Sequence, residues 1–153
     1  SAHLAIMDGR DVVYLVTERP PLTIPLVVDI GVRLPVHLTA SGRALLARQT
    51  NAQMHATYPD RRALPLRTGV GPTSPRALRT ILDEVRRDGV GREDGEIDVA
   101  LASVAVACLD HAGRAVAAVT LTFPSAGHGE TERAALVLKA QAAADLLTVR
   151  LGG

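Results

Sequence analysis

The chain has 153 residues, 47% of them hydrophobic and 22% charged, which fits one soluble globular domain able to bury about two-thirds of its unfolded surface. A formal net charge of +1 gives no electrostatic footprint for nucleic acid, and only three aromatic residues (Tyr14, Tyr58 and Phe123) exclude a base-stacking platform. No apolar run of about 18 residues and no signal-peptide pattern occurs, so a cytoplasmic location is expected.

The chain opens on Ser1 and passes straight into strand-like sequence, which suggests that an upstream segment is missing. His3–Met7 and Asp11–Thr17 are extended apolar runs flanking Asp8-Gly9-Arg10, a strong hairpin signal. Pro20, Pro21 and Pro25 confine Leu22–Asp29 to an edge or loop-like strand.

The segment Gly31–Ala47, GVRLPVHLTASGRALLA, then runs from a proline-punctuated approach into a helix over about Ala40–Ala47, with Thr39 as its N-cap. The first turn of a helix leaves amide groups unpaired and carries positive partial charge, and small residues there let an anion approach. An ordinary capped helix with small residues for tight packing is the plainer reading of the same residues.

A short helix is expected from near Asn51 to before Pro59, and Asp60–Thr73 reads as a surface loop. Ser74 caps a clearer helix with Pro75 at its first position, an apolar stripe of Leu78, Ile81, Leu82 and Val85, and Gly89 as a left-handed stop. Glu130–Leu151 reads as the longest helix, with Ala135, Leu138, Ala142, Leu146 and Val149 on one face. Strands, then helices, then strands again point to an α+β domain with one antiparallel sheet.

Leu101–Leu109 and Arg114–Phe123 form a hairpin across Asp110-His111-Ala112-Gly113. If Leu109 pairs with Arg114, Ser103 faces Thr120 and Leu101 faces Thr122. One face then carries Leu101, Ser103, Ala105 and Ala107 beside Val116, Ala118, Thr120 and Thr122, an apolar wall with hydroxyls at one end, as a small-molecule site needs. Solvent-facing threonines are an equal alternative from this geometry. The other face (Ala102, Val104, Val106, Cys108, Ala117, Val119, Leu121, Phe123) is the expected helix-covered core, with Cys108 a small core residue.

The order G-x-R-x-P-x-H-x-T-A-x-G-K/R-A-x-L-A, carried by Gly31, Arg33, Pro35, His37, Thr39, Ala40, Gly42, Arg43, Ala44, Leu46 and Ala47, resembles the hallmark of the effector-binding domain of IclR-type bacterial transcriptional regulators. The L-x-x-I/V-x-x-x-G helix ending at Gly89, the acidic stretch Arg92–Glu96, the apolar hairpin and the closing alanine-rich helix follow in the same order. The resemblance implies a GAF-like antiparallel sheet of about six strands flanked by helices, with a ligand cavity to one side. It also implies a small organic or aromatic carboxylate as effector, a homodimer or homotetramer, and DNA contact only through an N-terminal winged helix-turn-helix domain absent from this chain. The effector contacts carried over are the Ala40 and Ser41 backbone amides, Glu93, Leu101, Ser103, Thr120 and Thr122. The chain departs from the family pattern at Ser103 (often Cys), Ala100 (Gly nearby), Ala107 (Pro) and Arg43 (commonly Lys).

No cofactor, metal site or membrane association is expected. His3, His37, His55, His111 and His128 lack metal-ligand spacing, and Glu93, Asp94, Glu96 and Asp98 lack that of a calcium loop. A Ser41–His37 nucleophile pair has no G-x-S-x-G elbow to support it. The expected role is therefore a ligand sensor and not an enzyme. The alternatives are a small enzyme with Ser41, Ser103 or His37 at its site, and a GAF-like dimerisation module with an empty cavity.

Overall fold

A computed structural model describes residues 1–18 and 30–153. The expected strand Leu22–Asp29 lies outside these residues. Six strands form one antiparallel sheet: β1 (Ala2–Asp8), β2 (Asp11–Glu18), β3 (Arg33–Pro35), β4 (Gly91–Asp94), β5 (Leu101–Leu109) and β6 (Ala115–Pro124). Their order is β3-β2-β1-β6-β5-β4, so the N-terminal hairpin and the C-terminal one meet at the centre. The expected α+β architecture with a GAF-like sheet is the one observed.

The local signals act as the sequence says. Thr39 caps α1 (Ala40–Leu46), its hydroxyl oxygen accepting from the Gly42 amide at 3.1 Å. Ser74 caps α3 (Pro75–Asp88), and Gly89 closes it at φ 77°. The shorter α2 (Asn51–Thr57) starts on a capping box, Thr50 with Gln53, legible in the sequence as T-N-A-Q. The loop after it holds a single 3-10 turn, Arg61–Ala63.

Helix α1 lies on the inner face of the sheet, where Ala40, Ala44 and Leu45 pack on Ala105 and Ala118. Around it a larger core joins β1–β3 to α2 and α3 through Val12, Leu34, Met54, Tyr58, Leu78 and Leu82. The outer face carries α4 (Glu130–Arg150), whose Ala140 sits against Ala102, Val104 and Phe123, and whose Ala144 sits against Cys108 and Val119. Burial raises the Cys108 thiol, which is fully covered. Among the described residues no helix is long and apolar enough to cross a membrane.

One expectation is corrected. In the β5–β6 hairpin Ser103 pairs with Thr122 and Ala105 with Thr120, whereas Leu101 pairs with Pro124. The closing pair is Asp110 with Arg114, whose amide and carbonyl bond at 2.9 Å, which shifts the pairing by one residue, and a bulge at Cys108/Leu109 shifts it by one more. The total slip is two residues, an even number, so every side chain keeps its expected face. The threonines are not solvent-facing, since Thr120 is 1% and Thr122 8% exposed.

The sequence leaves open which face of α4 packs on the sheet. The stripe Ala135, Leu138, Ala142, Leu146 and Val149 faces away from the sheet, and the partly buried Leu136, Val137, Ala143 and Leu147 face it. The helix is apolar on both sides, so periodicity alone offers two candidate core faces, and the shape of the sheet selects between them.

Candidate functional site

Side-chain alternation and strand register place one row of polar residues across the inner face of the sheet. Glu93 of β4 pairs with Ser103 of β5, which pairs with Thr122 of β6. The Ser103 and Thr122 hydroxyls are 2.9 Å apart. One row deeper, Ala105 pairs with Thr120 and Thr120 with His3 of β1. Tyr14 of β2 reaches the same region, its hydroxyl 3.3 Å from that of Ser41 on α1.

Between the row and the start of α1 lies a small pocket lined by Tyr14, Leu34, Thr39, Ala40, Glu93, Ile97, Leu101, Ser103 and Thr122. Its free space is about 20 Å³, room for about one water molecule. Larger grooves exist, such as one of about 420 Å³ between α1, α3 and β5, which is open to the surface and whose polar side chains are two arginines, Arg48 and Arg86. The small pocket holds the convergent polar groups, so it is the better candidate.

The structure thus brings five expected residues, Ala40, Glu93, Leu101, Ser103 and Thr122, to one pocket. Ser41 and Thr120 sit beside it rather than in its lining. The Ser41 hydroxyl is engaged by Tyr14, and the buried Thr120 hydroxyl has no hydrogen-bond partner. Among the described residues the Ala40 and Ser41 amides also lack an acceptor, since Thr39 serves Gly42 alone. Tyr14, Leu34 and Ile97 were not legible as site residues. Tyr14 alternates with Val12 on β2, which marks it as inward-facing, but only the sheet's curl brings it over the β5–β6 hydroxyls.

The pocket's electrostatics centre on Glu93, which is 6% exposed. Burial pushes its carboxyl up to about 7, against the downward pull of the Glu96 amide and the Ser103 hydroxyl. Burial likewise raises the Tyr14 hydroxyl to about 12, so it stays protonated and can donate. For an acid whose folded value lies above its ordinary 4.5, stability is full below about pH 4.5 and falls as pH rises to about 7. Glu93→Gln is therefore expected to stabilise the fold at about pH 8 by on the order of 2–3 kcal/mol, and by almost nothing near pH 4. Urea unfolding at both pH values checks this, and an equal gain at both would contradict it.

Behind the pocket, Arg43 ties three segments together. Its guanidinium donates to the His37 carbonyl at 3.0 Å, to the Arg92 carbonyl at 2.8 Å and to the Glu96 carboxylate. A lysine could not span these three acceptors, which gives the Arg43 departure a structural reason. The His37 ring is 2.7 Å from the Pro65 carbonyl, and burial lowers its basicity, so the neutral ring's Nε2–H donates there. Ser41 and His37 are each engaged elsewhere and do not form the nucleophile pair. No group of three or more potential metal ligands occurs among the described residues.

A curled antiparallel sheet with helices on both faces and a polar pocket beneath a short inner helix is a GAF-like architecture. Residues 1–149 match the family described as bacterial transcriptional regulator IclR C-terminal, and the chain belongs to that family. The HTH-type transcriptional regulator XynR of Escherichia coli strain K12 is 32% identical over 122 residues, 80% of this chain and 48% of that protein. The crystal structure of the C-terminal domain of the E. coli regulator KdgR has a TM-score of 0.84 at 26% identity, covering 99% of this chain and 87% of that one. A double mutant of the PobR inducer-binding domain from Acinetobacter, in complex with 3-hydroxybenzoic acid, has a TM-score of 0.83 over 96% of this chain and 86% of that one. At 21% identity that last likeness is one of fold alone. The chain spans about half the length of the full-length relatives it matches.

Proposed function

We propose that this chain senses a small organic or aromatic carboxylate and passes the binding free energy to an N-terminal winged helix-turn-helix domain outside it, in a cytoplasmic homodimer or homotetramer. The observation that carries this reading is the buried Glu93–Ser103–Thr122 row facing apolar walls from Leu34, Ile97 and Leu101. Buried polar groups in a pocket are costly unless a ligand or the protein satisfies them, and the unpartnered Thr120 hydroxyl beside this one is such a group. In this reading Ala40 and Ser41 offer backbone amides, Glu93, Ser103, Thr120 and Thr122 offer polar side chains, and Leu101 covers the apolar part of the effector.

Glu93 narrows the effector class. An ionised carboxylate repels an anionic ligand, whereas a protonated one donates to it. With its carboxyl near 7, Glu93 favours an acid that carries a hydroxyl, or tighter binding below neutrality. The pocket's small free volume means that its walls move apart on binding, and that movement is the differential signal DNA-binding domains can read.

Thermal-shift screening against metabolic carboxylates, with 3-hydroxybenzoate among the first probes, tests the reading, because a ligand of the folded state raises its melting temperature. For a ligand so found, calorimetry should show Ser103→Ala and Thr120→Val each losing roughly ten- to a hundredfold in affinity. If both leave affinity unchanged, the pocket assignment is wrong. If no carboxylate stabilises the chain, the small free volume favours the second reading, a GAF-like dimerisation module.

A further inference from the structure

Tyr14 lines the pocket from the far side of the sheet, three strands away from Glu93 in the sheet order. Its backbone is pinned: the Gly31 amide donates to its carbonyl at 2.7 Å, and its own amide donates to the Val32 carbonyl at 3.2 Å. The ring stands edge-on to that of His3, with centroids 5.3 Å apart, and His3 is level with Thr120 on β6. Only the phenol end is left to adjust, and it shares its cavity with Glu93, Ser103 and Thr122.

That phenol is poorly served. The residue is buried, and a buried tyrosine hydroxyl normally finds a good partner. Here the Ser41 Oγ lies 3.3 Å away, beyond the about 2.5–3.0 Å of a well-formed O–H···O bond. The other hydroxyls of the lining are better placed: Ser103 and Thr122 hold each other at 2.9 Å, and Thr39 caps α1 while donating back into the preceding turn. Two buried hydroxyls at this cavity are therefore short of a partner, Tyr14 with a stretched bond and Thr120 with none. The phenol keeps its proton throughout the ordinary pH range, so it brings a donor without bringing a charge. Glu93 can donate only when it is protonated.

We propose that Tyr14 determines the specificity of this site: its phenol O–H leaves Ser41 and donates to the effector's carboxylate, so that the site takes an acid in preference to the neutral analogue. The inference rests on the effector-sensing role proposed above and names the side chain that reads the anion. A hydrogen bond to an ionised acceptor is roughly twice as strong as one between neutral groups, so exchanging the distant Ser41 oxygen for a carboxylate oxygen favours binding. The carboxamide of the same acid has one such acceptor fewer and carries no charge, and its amino group turns two donors toward a donor.

Calorimetric titration of lactate, 3-hydroxybutyrate and 3-hydroxybenzoate into the parent, Tyr14→Phe and Ser41→Ala tests this. For an acid that binds the parent, Tyr14→Phe should lose roughly ten- to a hundredfold in affinity, and the preference for that acid over its carboxamide should narrow by about tenfold. Ser41→Ala removes the resting partner of the phenol and should instead tighten binding by about two- to fivefold. A Tyr14–Ser41 bond that merely holds the pocket shut predicts a gain in both variants. The chain has two tyrosines and no tryptophan, so a Tyr58→Phe chain carries Tyr14 as its one phenol, and its ultraviolet difference spectrum should report a stronger hydrogen bond when the acid binds. Unchanged affinity and selectivity in Tyr14→Phe, a gain in both variants, or a silent phenol spectrum would overturn the role of Tyr14 and leave the effector site standing. If none of the three acids binds the parent, the role of Tyr14 and the effector site fall together.

Discussion

Arg43→Ala is expected to destabilise the fold by about 3–5 kcal/mol, a large share of a domain's total stability. The side chain is 3% exposed, and its removal leaves the Glu96 carboxylate and the His37 and Arg92 carbonyls without their donor. The cost comes less from the lost attraction than from burying an uncompensated charge. Burial already raises the Glu96 carboxyl and the Arg43 charge opposes that rise, so in the variant Glu96 should take up a proton at higher pH. Arg43→Lys keeps the charge but cannot reach all three acceptors, and an intermediate loss of about 1–2 kcal/mol is expected. Chemical denaturation of the two variants side by side checks the order. Equal stability of Arg43→Ala and the parent would refute the tie.

The second large effect is expected at Gly91. A Cβ there would run into the Ala40 carbonyl oxygen and stand 2.9 Å from the Ala44 nitrogen, both of them backbone atoms that no rotamer change can move. Gly91→Ala should therefore cost roughly 3 kcal/mol or more, because α1 and β4 must separate. Glu93 lies two residues along the same strand and Ala40 begins the facing helix, so this separation should also weaken the pocket for any carboxylate that binds the parent. Gly129→Ala is the control: its Cβ would meet only the flexible end of Glu132, at 3.1 Å, and its melting temperature should stay near that of the parent. A Gly91→Ala protein as stable as the control would mean that the helix does not press on the strand.

The signature segment shows both sides of what can be read from residues. Thr39 as a cap follows from local chemistry and holds in the structure. Gly42 reads as a small first-turn residue, yet its smallness serves the protein's own backbone: a Cβ there would strike the Val36 carbonyl. The resemblance to a family placed Glu93, Ser103 and Thr122 in one site, and the strand pairing brings those three into one row. It gave no hint of Tyr14, whose hydroxyl reaches Ser41 from a strand twenty-seven residues upstream.

What the sequence determined by itself is what local rules govern. The Asp8–Arg10 turn, the caps Thr39 and Ser74, the stop at Gly89 and the two faces of the β5–β6 hairpin each depend on residues a few positions apart. What only the tertiary structure decided depends on elements distant in sequence. The hairpin register turned on a loop and a bulge that period-two alternation cannot detect, because an even slip leaves the pattern unchanged. The core face of α4 was open between two apolar stripes until the sheet took the one rich in alanine at its closest contacts, Ala140 and Ala144, where small side chains let helix and strands approach. The pocket itself exists only because Arg43 and Gly91 hold α1 against β4, a contact between residues almost fifty positions apart.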